Sequence, residues 1–281
     1  MAESPRRIGL VDYDPNNFHA DVYLKMLRGP LVGREYVVAG VSAQQEHAGR
    51  GWAAKNDVPY FAGPAEMNEA VDCFAVLAPS NPEVHEELCR AVLPLGKATF
   101  VDKTFAPDVA TAERIFALAD EHGVAVQTTS ALRTTLVQRR AGELENPLLH
   151  MAAWAGGSSF GEYGIHPVEM VVSCMGAGVE SLMVHGPEEH PQLVLRFSGD
   201  RAATIDFNPS EYVPFSAALT TRAGTEFVTV DDAKLFEDAA AAILDFFDAG
   251  RPLVEQAETL AVLRVLAAAA KPEARGGFVP V

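Results

Sequence analysis

The first half of the chain alternates short apolar runs with stretches of helical periodicity. Between the apolar runs, apolar residues recur three and four positions apart, as Phe18, Val22 and Met26 do. Parallel strands joined by crossover helices produce this alternation. The pattern predicts strands at Ile8–Val11, Tyr36–Val41, Cys73–Leu77, Thr99–Val101 and Val124–Thr128.

The second half changes to alternating and β-branched residues after about Arg133, a pattern typical of antiparallel strands. Two helical patterns then close the chain, one with an apolar stripe from Phe236 to Phe247 and one from about Glu255 to Ala270. The strands are predicted at Leu148–Ala155, Ser181–His185, Gln192–Phe197, Ala202–Phe207, Ala217–Arg222 and Glu226–Val230.

These patterns predict an α/β protein of two domains. Residues 1–132 form a Rossmann-like domain with a doubly wound parallel sheet, and residues 133–281 form an α+β domain with an open, mostly antiparallel sheet and the C-terminal helices. A chain of 281 residues that is 48% hydrophobic can supply two cores.

The net charge and the cysteines limit the binding partners and the cellular location that we expect. Lys and Arg total 22 against 38 acidic residues, and the net charge of −16 argues against nucleic acid or an anionic membrane. Cys73, Cys89 and Cys174 show neither a metal-binding spacing nor an even count. The first apolar run starts at Ile8, which leaves no room for a signal peptide. We therefore expect a cytoplasmic protein that binds a small polar molecule.

The turn after the first predicted strand carries Asp12 and Asp14 where a dinucleotide-binding turn has glycines. Glycine lets backbone N–H groups approach a pyrophosphate, whereas a carboxylate about 5 Å from a phosphate charge costs roughly 3 kcal/mol. Alternatively the turn is longer, Asn16 and Asn17 complete a turn and helix cap, and the phosphates lie against other N–H groups. After the second strand, Ser42 replaces the acidic residue expected at the adenosine ribose.

Three segments resemble motifs of one enzyme family. Residues 78–85, Ala-Pro-Ser-Asn-Pro-Glu-Val-His, are similar to a strand-end Pro-Asn-x-x-His turn. Residues 96–104, Gly-Lys-Ala-Thr-Phe-Val-Asp-Lys-Thr, resemble a run that ends in Glu-Lys-Pro. Residues 162–169, Glu-Tyr-Gly-Ile-His-Pro-Val-Glu, resemble an Asp-x-x-x-His-x-x-Asp segment. In this order the segments resemble the Gfo/Idh/MocA family of sugar and cyclitol oxidoreductases, over nearly the whole chain.

The resemblance implies a Rossmann domain that uses NAD or NADP, followed by an open sheet that carries the substrate pocket and often mediates oligomers. Lys103, Glu162 and His166 fall on the family's catalytic lysine, aspartate and histidine. We expect cofactor contacts from Asp12, Asp14, Asn16, Asn17, Ser42, Pro79, Ser80, Asn81, His85 and Lys103. We expect substrate contacts from Arg133, Trp154, Tyr163 and His166, and a homo-oligomer formed through the open sheet.

These residue types suit hydride transfer between a nicotinamide and a sugar, cyclitol or related polyol. The unperturbed pKa of imidazole lies near neutrality, so His166 can remove a hydroxyl proton while Glu162 orients its ring. The Lys103 ammonium stabilises the resulting alkoxide.

Other interpretations remain open. The same lysine and histidine can enolise a carbonyl without nicotinamide, as in a lyase, dehydratase or isomerase of a keto-sugar, or the pocket can belong to a ligand sensor. Glu162, His166 and Glu169 can be metal ligands, although Gly164 and Pro167 interrupt the helix that would align them. His19 is either a local cap or part of a small polar or metal site with the neighbouring aspartates. We predict no metal.

Overall fold

The structure is a computed structural model that describes residues 4–209 and 213–281. The chain folds into two compact units. The first consists of residues up to Thr129 together with Phe236–Val254, and the second consists of Ser130–Leu235 and Glu255–Val281.

The first unit contains a five-stranded sheet whose order is β2-β1-β3-β4-β5 and whose neighbouring strands are all parallel. Its strands are β1 (Arg6–Asp12), β2 (Tyr36–Ala43), β3 (Cys73–Val76), β4 (Thr99–Val101) and β5 (Val126–Gln127). Its helices are α1 (Phe18–Arg28), α2 (Glu46–Asn56), α3 (Pro64–Met67), α4 (His85–Val92), α5 (Val109–His122) and α9 (Leu235–Ala249). The winding reverses between β1 and β3, and open α/β sheets bind ligands at the carboxyl ends of the strands beside such a reversal.

The structure confirms the predicted buried strands of this sheet and the predicted end of α5 at Gly123. All four residues of β3 and all three of β4 are buried, as expected for central parallel strands. Asp108 caps α5 by accepting a hydrogen bond from the Thr111 backbone N–H at 2.7 Å, and Gly123 ends that helix with φ of 63°. The predicted Rossmann-like doubly wound sheet is therefore present.

Helix α9 belongs to the first unit, whereas the sequence placed both closing helices in the second domain. Its apolar residues pack with the core of the parallel sheet, where Ile243 and Phe247 join Ile8 and Leu10. The Arg6 guanidinium donates to the Phe247 backbone carbonyl at 2.9 Å. An apolar stripe shows that one face of a helix is buried but does not show against which sheet.

The second unit contains a seven-stranded sheet in the order β11-β10-β6-β9-β8-β7-β12, in which only β6 and β9 pair in parallel. The strands are β6 (His150–Gly156), β7 (Val179–His185), β8 (Gln192–Phe197), β9 (Arg201–Asn208), β10 (Ser216–Thr221), β11 (Gly224–Thr229) and β12 (Val279–Pro280). The helices are α6 (Leu136–Gly142), α7 (Phe160–Tyr163), α8 (Ile165–Met175) and α10 (Gln256–Ala269). This is the predicted, mostly antiparallel second sheet.

Helix α8 packs against β6, and this packing explains the period-2 burial of that strand. Met151, Ala153 and Ala155 are buried on one face, whereas Ala152 and Trp154 on the other face are half-buried. One face of the sheet thus carries the core of this unit.

Candidate functional site

The turn after β1 is held together by its own acidic and amide side chains. Asp12 Oδ1 accepts a hydrogen bond from the Asp14 backbone N–H at 3.2 Å, and Asp12 Oδ2 accepts one from the Asn17 amide at 2.8 Å. Asp14 Oδ1 accepts from the backbone N–H and the side-chain amide of Asn16 at 2.9 and 3.0 Å. These carboxylates therefore occupy backbone N–H groups of the kind that a dinucleotide-binding turn offers to phosphate.

The N-terminus of α1 is capped by the same turn. Asn17 Oδ1 accepts a hydrogen bond from the Ala20 backbone N–H at 3.0 Å, and its amide also donates to the Asp14 carbonyl at 2.8 Å. An N-cap side chain satisfies a helix N–H that otherwise needs water or a ligand. The turn-and-cap interpretation of Asn16 and Asn17 matches this geometry.

The two aspartates of the turn differ in exposure. Asp12 is fully buried, and burial raises its pKa to about 7; the hydrogen bond from Asn17 opposes the rise and the nearby charge of Asp102 adds to it. Asp14 is partly exposed and places a carboxylate beside the N-terminus of α1. The helix dipole already has a negative partner there, so a phosphate would meet a like charge.

Ser42 lies inside β2 and is only 4% exposed. Main-chain pairing continues past it, because the Gln44 N–H donates to the Asp12 carbonyl at 3.0 Å and the Gln45 N–H to the Tyr13 carbonyl at 2.9 Å. The end of β2 is therefore tied to the turn, at the place where a Rossmann unit contacts the adenosine ribose.

The loop after β3 brings the second predicted motif next to Lys103. The Pro79 carbonyl accepts a hydrogen bond from Lys103 Nζ at 3.0 Å. Ser80 is exposed, and the Asn81 amide donates to Glu83 at 3.0 Å. The structure thus assembles Pro79 and Lys103 and leaves Ser80 and Asn81 at the surface of this unit.

His85 supports this loop from the core. Its ring is fully buried, with Nε2 2.8 Å from the Leu77 carbonyl and Nδ1 3.1 Å from the Phe105 carbonyl. Burial lowers the pKa of His85. A neutral ring has one N–H and can donate to only one of these two carbonyls. The buried position gives His85 no exposed surface for a cofactor.

Lys103 follows β4 and is 7% exposed. Among the described residues it forms no ion pair with a carboxylate, and the Pro79 carbonyl is its hydrogen-bond acceptor. Buried charges are normally paired, because an ammonium group leaves water at a high free-energy cost. A lysine with three donors and one neutral acceptor retains hydrogen-bonding capacity for a ligand.

A histidine–carboxylate pair lies next to Lys103 in sequence. Asp102 is fully buried; its Oδ2 lies 2.6 Å from His19 Nδ1, and its Oδ1 accepts from the Lys103 backbone N–H at 2.8 Å. Burial pushes the pKa of Asp102 upward, but the charges of His19 and Lys103 outweigh it and hold that pKa below its usual value. The His19 ring packs edge-on against Phe18, Tyr23 and Phe236.

In the second unit, His166 pairs with a hydroxyl group. His166 lies at the start of α8, and its Nδ1 is 2.7 Å from Ser130 Oγ. The Ser130 hydroxyl also accepts from the Leu132 backbone N–H at 3.1 Å, and Ser130 is 1% exposed. The Tyr163 ring centroid lies 5.8 Å from that of His166.

Glu169 lies one turn after His166 and holds the other side of Ser130. Its Oε2 accepts from the Ser130 backbone N–H at 2.8 Å, and its Oε1 lies 3.6 Å from the Arg133 guanidinium, which also binds Glu258. Burial raises the pKa of Glu169 to about 7, against the lowering by Arg133. Arg133 therefore lies between two carboxylates, and its contact with a substrate stays a prediction.

Glu162, expected to orient the His166 ring, is exposed on the short helix α7 and accepts a hydrogen bond from the Ser158 hydroxyl at 2.9 Å. The geometry gives the orienting position to Ser130 instead. A side chain four residues upstream faces its target only if one helix continues through both, and a new helix, α8, starts at Ile165.

Two other predicted substrate contacts lie near this segment. Tyr163 covers Gly157, where a Cβ would lie 2.3 Å from the ring, so Gly157 allows the close approach of that ring. Trp154 is half-buried on the face of β6 opposite Ala153 and Ala155. Neither position tests substrate binding directly.

Sequence reasoning missed Asp102 and Ser130. Asp102 had a local signal, because it precedes Lys103 where the family motif has a glutamate. Ser130 had none, since only the fold brings a serine 36 positions before His166 onto its ring. In the described ranges 4–209 and 213–281, no three His, Cys, Asp or Glu side chains are grouped so as to hold a metal ion. No helix in those ranges is long and apolar enough to cross a membrane.

Comparisons with known proteins agree with this architecture. Residues 15–130 match the Gfo/Idh/MocA sequence model, described as an oxidoreductase family with an NAD-binding Rossmann fold. A probable dehydrogenase from Thermotoga maritima has a similar fold, with a TM-score of 0.82 at 16% identity over 98% of both chains. Scyllo-inositol dehydrogenase from Lactobacillus casei, solved with NAD(H) and scyllo-inositol, superposes with a TM-score of 0.80 at 11% identity over 98% of this chain and 99% of that one.

A 3-ketoreductase from Actinomadura kijaniata, solved with NADP, gives a TM-score of 0.72 at 16% identity over 94% and 96% of the two chains. No curated protein sequence matches the chain. At these identities the structural matches establish the fold, and the sequence match covers residues 15–130. Residues 15–130 are thus similar to the Gfo/Idh/MocA oxidoreductase family, and the whole chain shares its fold with solved dehydrogenases.

Proposed function

We propose that the chain is an enzyme acting on a sugar, cyclitol or related polyol or keto compound, with Lys103 and His166 as catalytic residues. The observation that carries the proposal is Lys103, a nearly buried ammonium whose acceptor is one backbone carbonyl. A cation held in this way stabilises negative charge that develops on an oxygen.

The family supports an oxidoreductase that transfers hydride between such a substrate and NAD or NADP. Two similar structures, the inositol dehydrogenase and the 3-ketoreductase, were solved with those cofactors. Hydride transfer by this chain requires that its residues fit the dinucleotide.

The turn after β1 does not fit a pyrophosphate. Its N–H groups at Asp14 and Asn16 are bonded to carboxylates, Asn17 caps α1, and the partly exposed Asp14 carboxylate would face the phosphates. At about 5 Å and an effective dielectric of about 20, that repulsion is roughly 3 kcal/mol per charge pair.

This misfit favours a second candidate, in which the same residues work without a nicotinamide. A lysine that stabilises an enolate oxygen and a histidine that hydrogen-bonds or protonates it suffice for a lyase, dehydratase or isomerase of a keto-sugar. Retention of Lys103 and His166 also argues for turnover rather than for a sensor that only binds its ligand.

The deciding experiment is calorimetric titration of the purified protein with NAD+, NADH, NADP+ and NADPH at moderate ionic strength, after a check for co-purified nucleotide. Micromolar binding would support the hydride-transfer form and lead to a polyol screen by absorbance. No binding at millimolar concentration would overturn that form.

A second assay addresses the cofactor-free form. Keto-sugars are incubated with the protein in D2O, and deuterium incorporation next to the carbonyl is followed by NMR. We expect Lys103→Met to lower the exchange rate at least about 100-fold. The matched control Lys55→Met changes a lysine that is 67% exposed and leaves the rate unchanged. Exchange that survives Lys103→Met would contradict the assigned role.

We also propose that the chain forms a homo-oligomer through the face of the second sheet that carries Trp154. Cross-strand pairing aligns Ala152, Thr204 and Val194 on that face, with β11 contributing Phe227, which is 76% exposed. Light scattering after size-exclusion chromatography should report more than one chain per particle. Val194→Glu should reduce the particle to one chain, and a monomeric wild type would refute this assembly.

A further inference from the structure

Every polar group of Ser130 has a partner within the second unit. Its backbone N–H donates to Glu169 at 2.8 Å, and its carbonyl accepts from the Arg133 backbone N–H at 3.0 Å. Its hydroxyl oxygen accepts from the Leu132 N–H at 3.1 Å and lies 2.7 Å from His166 Nδ1. The serine is therefore fixed from four directions and cannot rotate its hydroxyl away without losing a bond.

These hydrogen bonds favour one position for the Ser130 hydroxyl proton and one for the imidazole hydrogen of His166. A hydroxyl has one proton and two lone pairs, and Leu132 already uses one lone pair. If His166 Nδ1 carried a hydrogen, it would use the second lone pair, and the hydroxyl proton would point into a core where Ser130 is 1% exposed, with no acceptor among the described residues. An unsatisfied buried donor is unfavourable enough to disfavour that arrangement at least about fivefold.

We propose that Ser130 is a positioning residue: its hydroxyl donates to His166 Nδ1 and fixes the neutral imidazole as the tautomer whose hydrogen is on Nε2. In this tautomer Nε2 of His166 is a hydrogen-bond donor and not a lone pair. A neutral imidazole that donates in this way polarises a carbonyl oxygen. Resting on the proposed function, the inference assigns His166 to the keto side of the reaction, where it assists enolisation or carbonyl reduction, instead of deprotonating a polyol hydroxyl.

Glu169 and Arg133 make the arrangement rigid. Glu169 is 6% exposed and accepts a hydrogen bond from the Ser130 backbone N–H. Arg133 lies between Glu169 and Glu258, which is on α10. The Gln138 amide donates to the Leu132 carbonyl at 2.8 Å and holds the other end of the turn. A hydrogen bond that sets a tautomer needs such support, because a rotated hydroxyl would release the ring.

The test is a long-range proton–nitrogen NMR spectrum of the full-length protein labelled with 15N-histidine, recorded at about pH 8, where an unperturbed imidazole is neutral. His166→Gln identifies the His166 signals. We expect a hydrogen-bonded, pyridine-type Nδ1 and a pyrrole-type Nε2. His19, whose Nδ1 faces a carboxylate, is expected to show the opposite assignment in the same spectrum. A pyrrole-type Nδ1 at His166 in the wild-type spectrum would by itself overturn the proposal.

Ser130→Ala then tests the cause. We expect the His166 Nδ1 resonance to move to the position of an imidazole without that hydrogen bond. The matched control is Ser158→Ala, which removes a hydroxyl bonded to Glu162 and should leave His166 unchanged. An unshifted Nδ1 in a folded Ser130→Ala variant would refute the role of Ser130.

Turnover separates this inference from the proposed function. With a keto substrate, Ser130→Ala is expected to lower kcat about tenfold with little change in KM, since the ring still occupies its place but loses its fixed donor. If no substrate turns over while the NMR assignment holds, the proposed function fails and the tautomer inference stands. If turnover is found and the assignment is reversed, the inference fails and the function stands.

Discussion

His19 in the first unit and His166 in the second both have a hydrogen-bond partner at Nδ1, and the partners differ in kind. Asp102 Oδ2 lies 2.6 Å from His19, and Ser130 Oγ lies 2.7 Å from His166. A carboxylate only accepts, so it places a hydrogen on Nδ1. A hydroxyl whose lone pair already serves a backbone N–H donates, so it places the hydrogen on Nε2. At nearly equal distances, Nδ1 is therefore the donor in His19 and the acceptor in His166.

The two pairs also differ in charge. Asp102 brings a fully buried carboxylate, which His19 and the adjacent Lys103 keep ionised. Ser130 brings no charge, and the buried carboxylate behind it, Glu169, has a pKa raised to about 7. Loss of the Asp102 side chain removes a buried carboxylate and leaves His19 without its acceptor, whereas loss of the Ser130 hydroxyl removes hydrogen bonds and no charge.

The largest effect is expected from Asp102→Ala, which removes the buried carboxylate bound to His19. Removing one partner of a buried pair leaves His19 without its acceptor and should lower the free energy of unfolding by about 3–5 kcal/mol in urea denaturation. The matched control is Asp108→Ala, which removes the exposed N-cap of α5 and is expected to lower the free energy of unfolding by less than Asp102→Ala does. A loss at Asp102 no larger than at Asp108 would remove the distinction between the two histidine pairs.

The stabilising contributions of Glu169 and Asp102 to the free energy of unfolding should change with pH in opposite directions. The pKa of Glu169 is raised in the folded state, from 4.5 to about 7, so its stabilising contribution is fully present below about pH 4.5 and is lost as the pH rises to 7. The lost part is at most about 3 kcal/mol. The pKa of Asp102 is lowered, so its contribution is present above the unfolded value and is lost on acidification.

Glu169→Gln keeps a side-chain oxygen for the Ser130 backbone N–H and removes the titration. Urea denaturation between pH 4.5 and 7.5 should therefore show a flatter pH dependence of the free energy of unfolding in the variant than in the wild type. Parallel curves for the two proteins would show that Glu169 ionises as it does in the unfolded chain.

A smaller effect is expected from Ser130→Ala. The variant loses the cap on the Leu132 N–H and the bond to His166 without leaving a buried charge, so unfolding should become easier by about 1–2 kcal/mol. Urea denaturation measures this loss against Asp102→Ala. A loss of 4 kcal/mol or more would mean that the Ser130 hydroxyl stabilises the protein as much as the Asp102 carboxylate does.

The smallest effect is expected at the rim of the His19 pair. Phe18 is 61% exposed, and its ring packs edge-on against Phe236 with centroids 5.0 Å apart, so Phe18→Ala should cost about 0.5–1 kcal/mol. Val32→Ala is the matched control, since Val32 is 66% exposed and its expected cost is near zero. Equal thermal midpoints for the two variants would show that the aromatic contact does not stabilise the His19 environment.

The sequence predicted the positions of Lys103 and His166 in the fold better than it predicted their hydrogen-bond partners. Lys103 and His166 were chosen from short motifs, and both lie where those motifs imply, at the end of β4 and the start of α8. Their partners came from elsewhere in the chain. Glu162 was the expected partner of His166 because it is near in sequence, whereas Ser130 holds the ring.

Local periodicity determined the strands, the helices and their classes, because alternation and helical spacing depend on neighbours within one element. The sequence by itself therefore determined a parallel Rossmann-like sheet followed by an antiparallel one, and it placed two carboxylates in the phosphate turn. Only the tertiary structure decided that Asp12 points inward, that α9 packs on the first sheet, and that His19 meets a carboxylate while His166 meets a hydroxyl. These outcomes depend on contacts between residues far apart in the chain, and no local pattern records them.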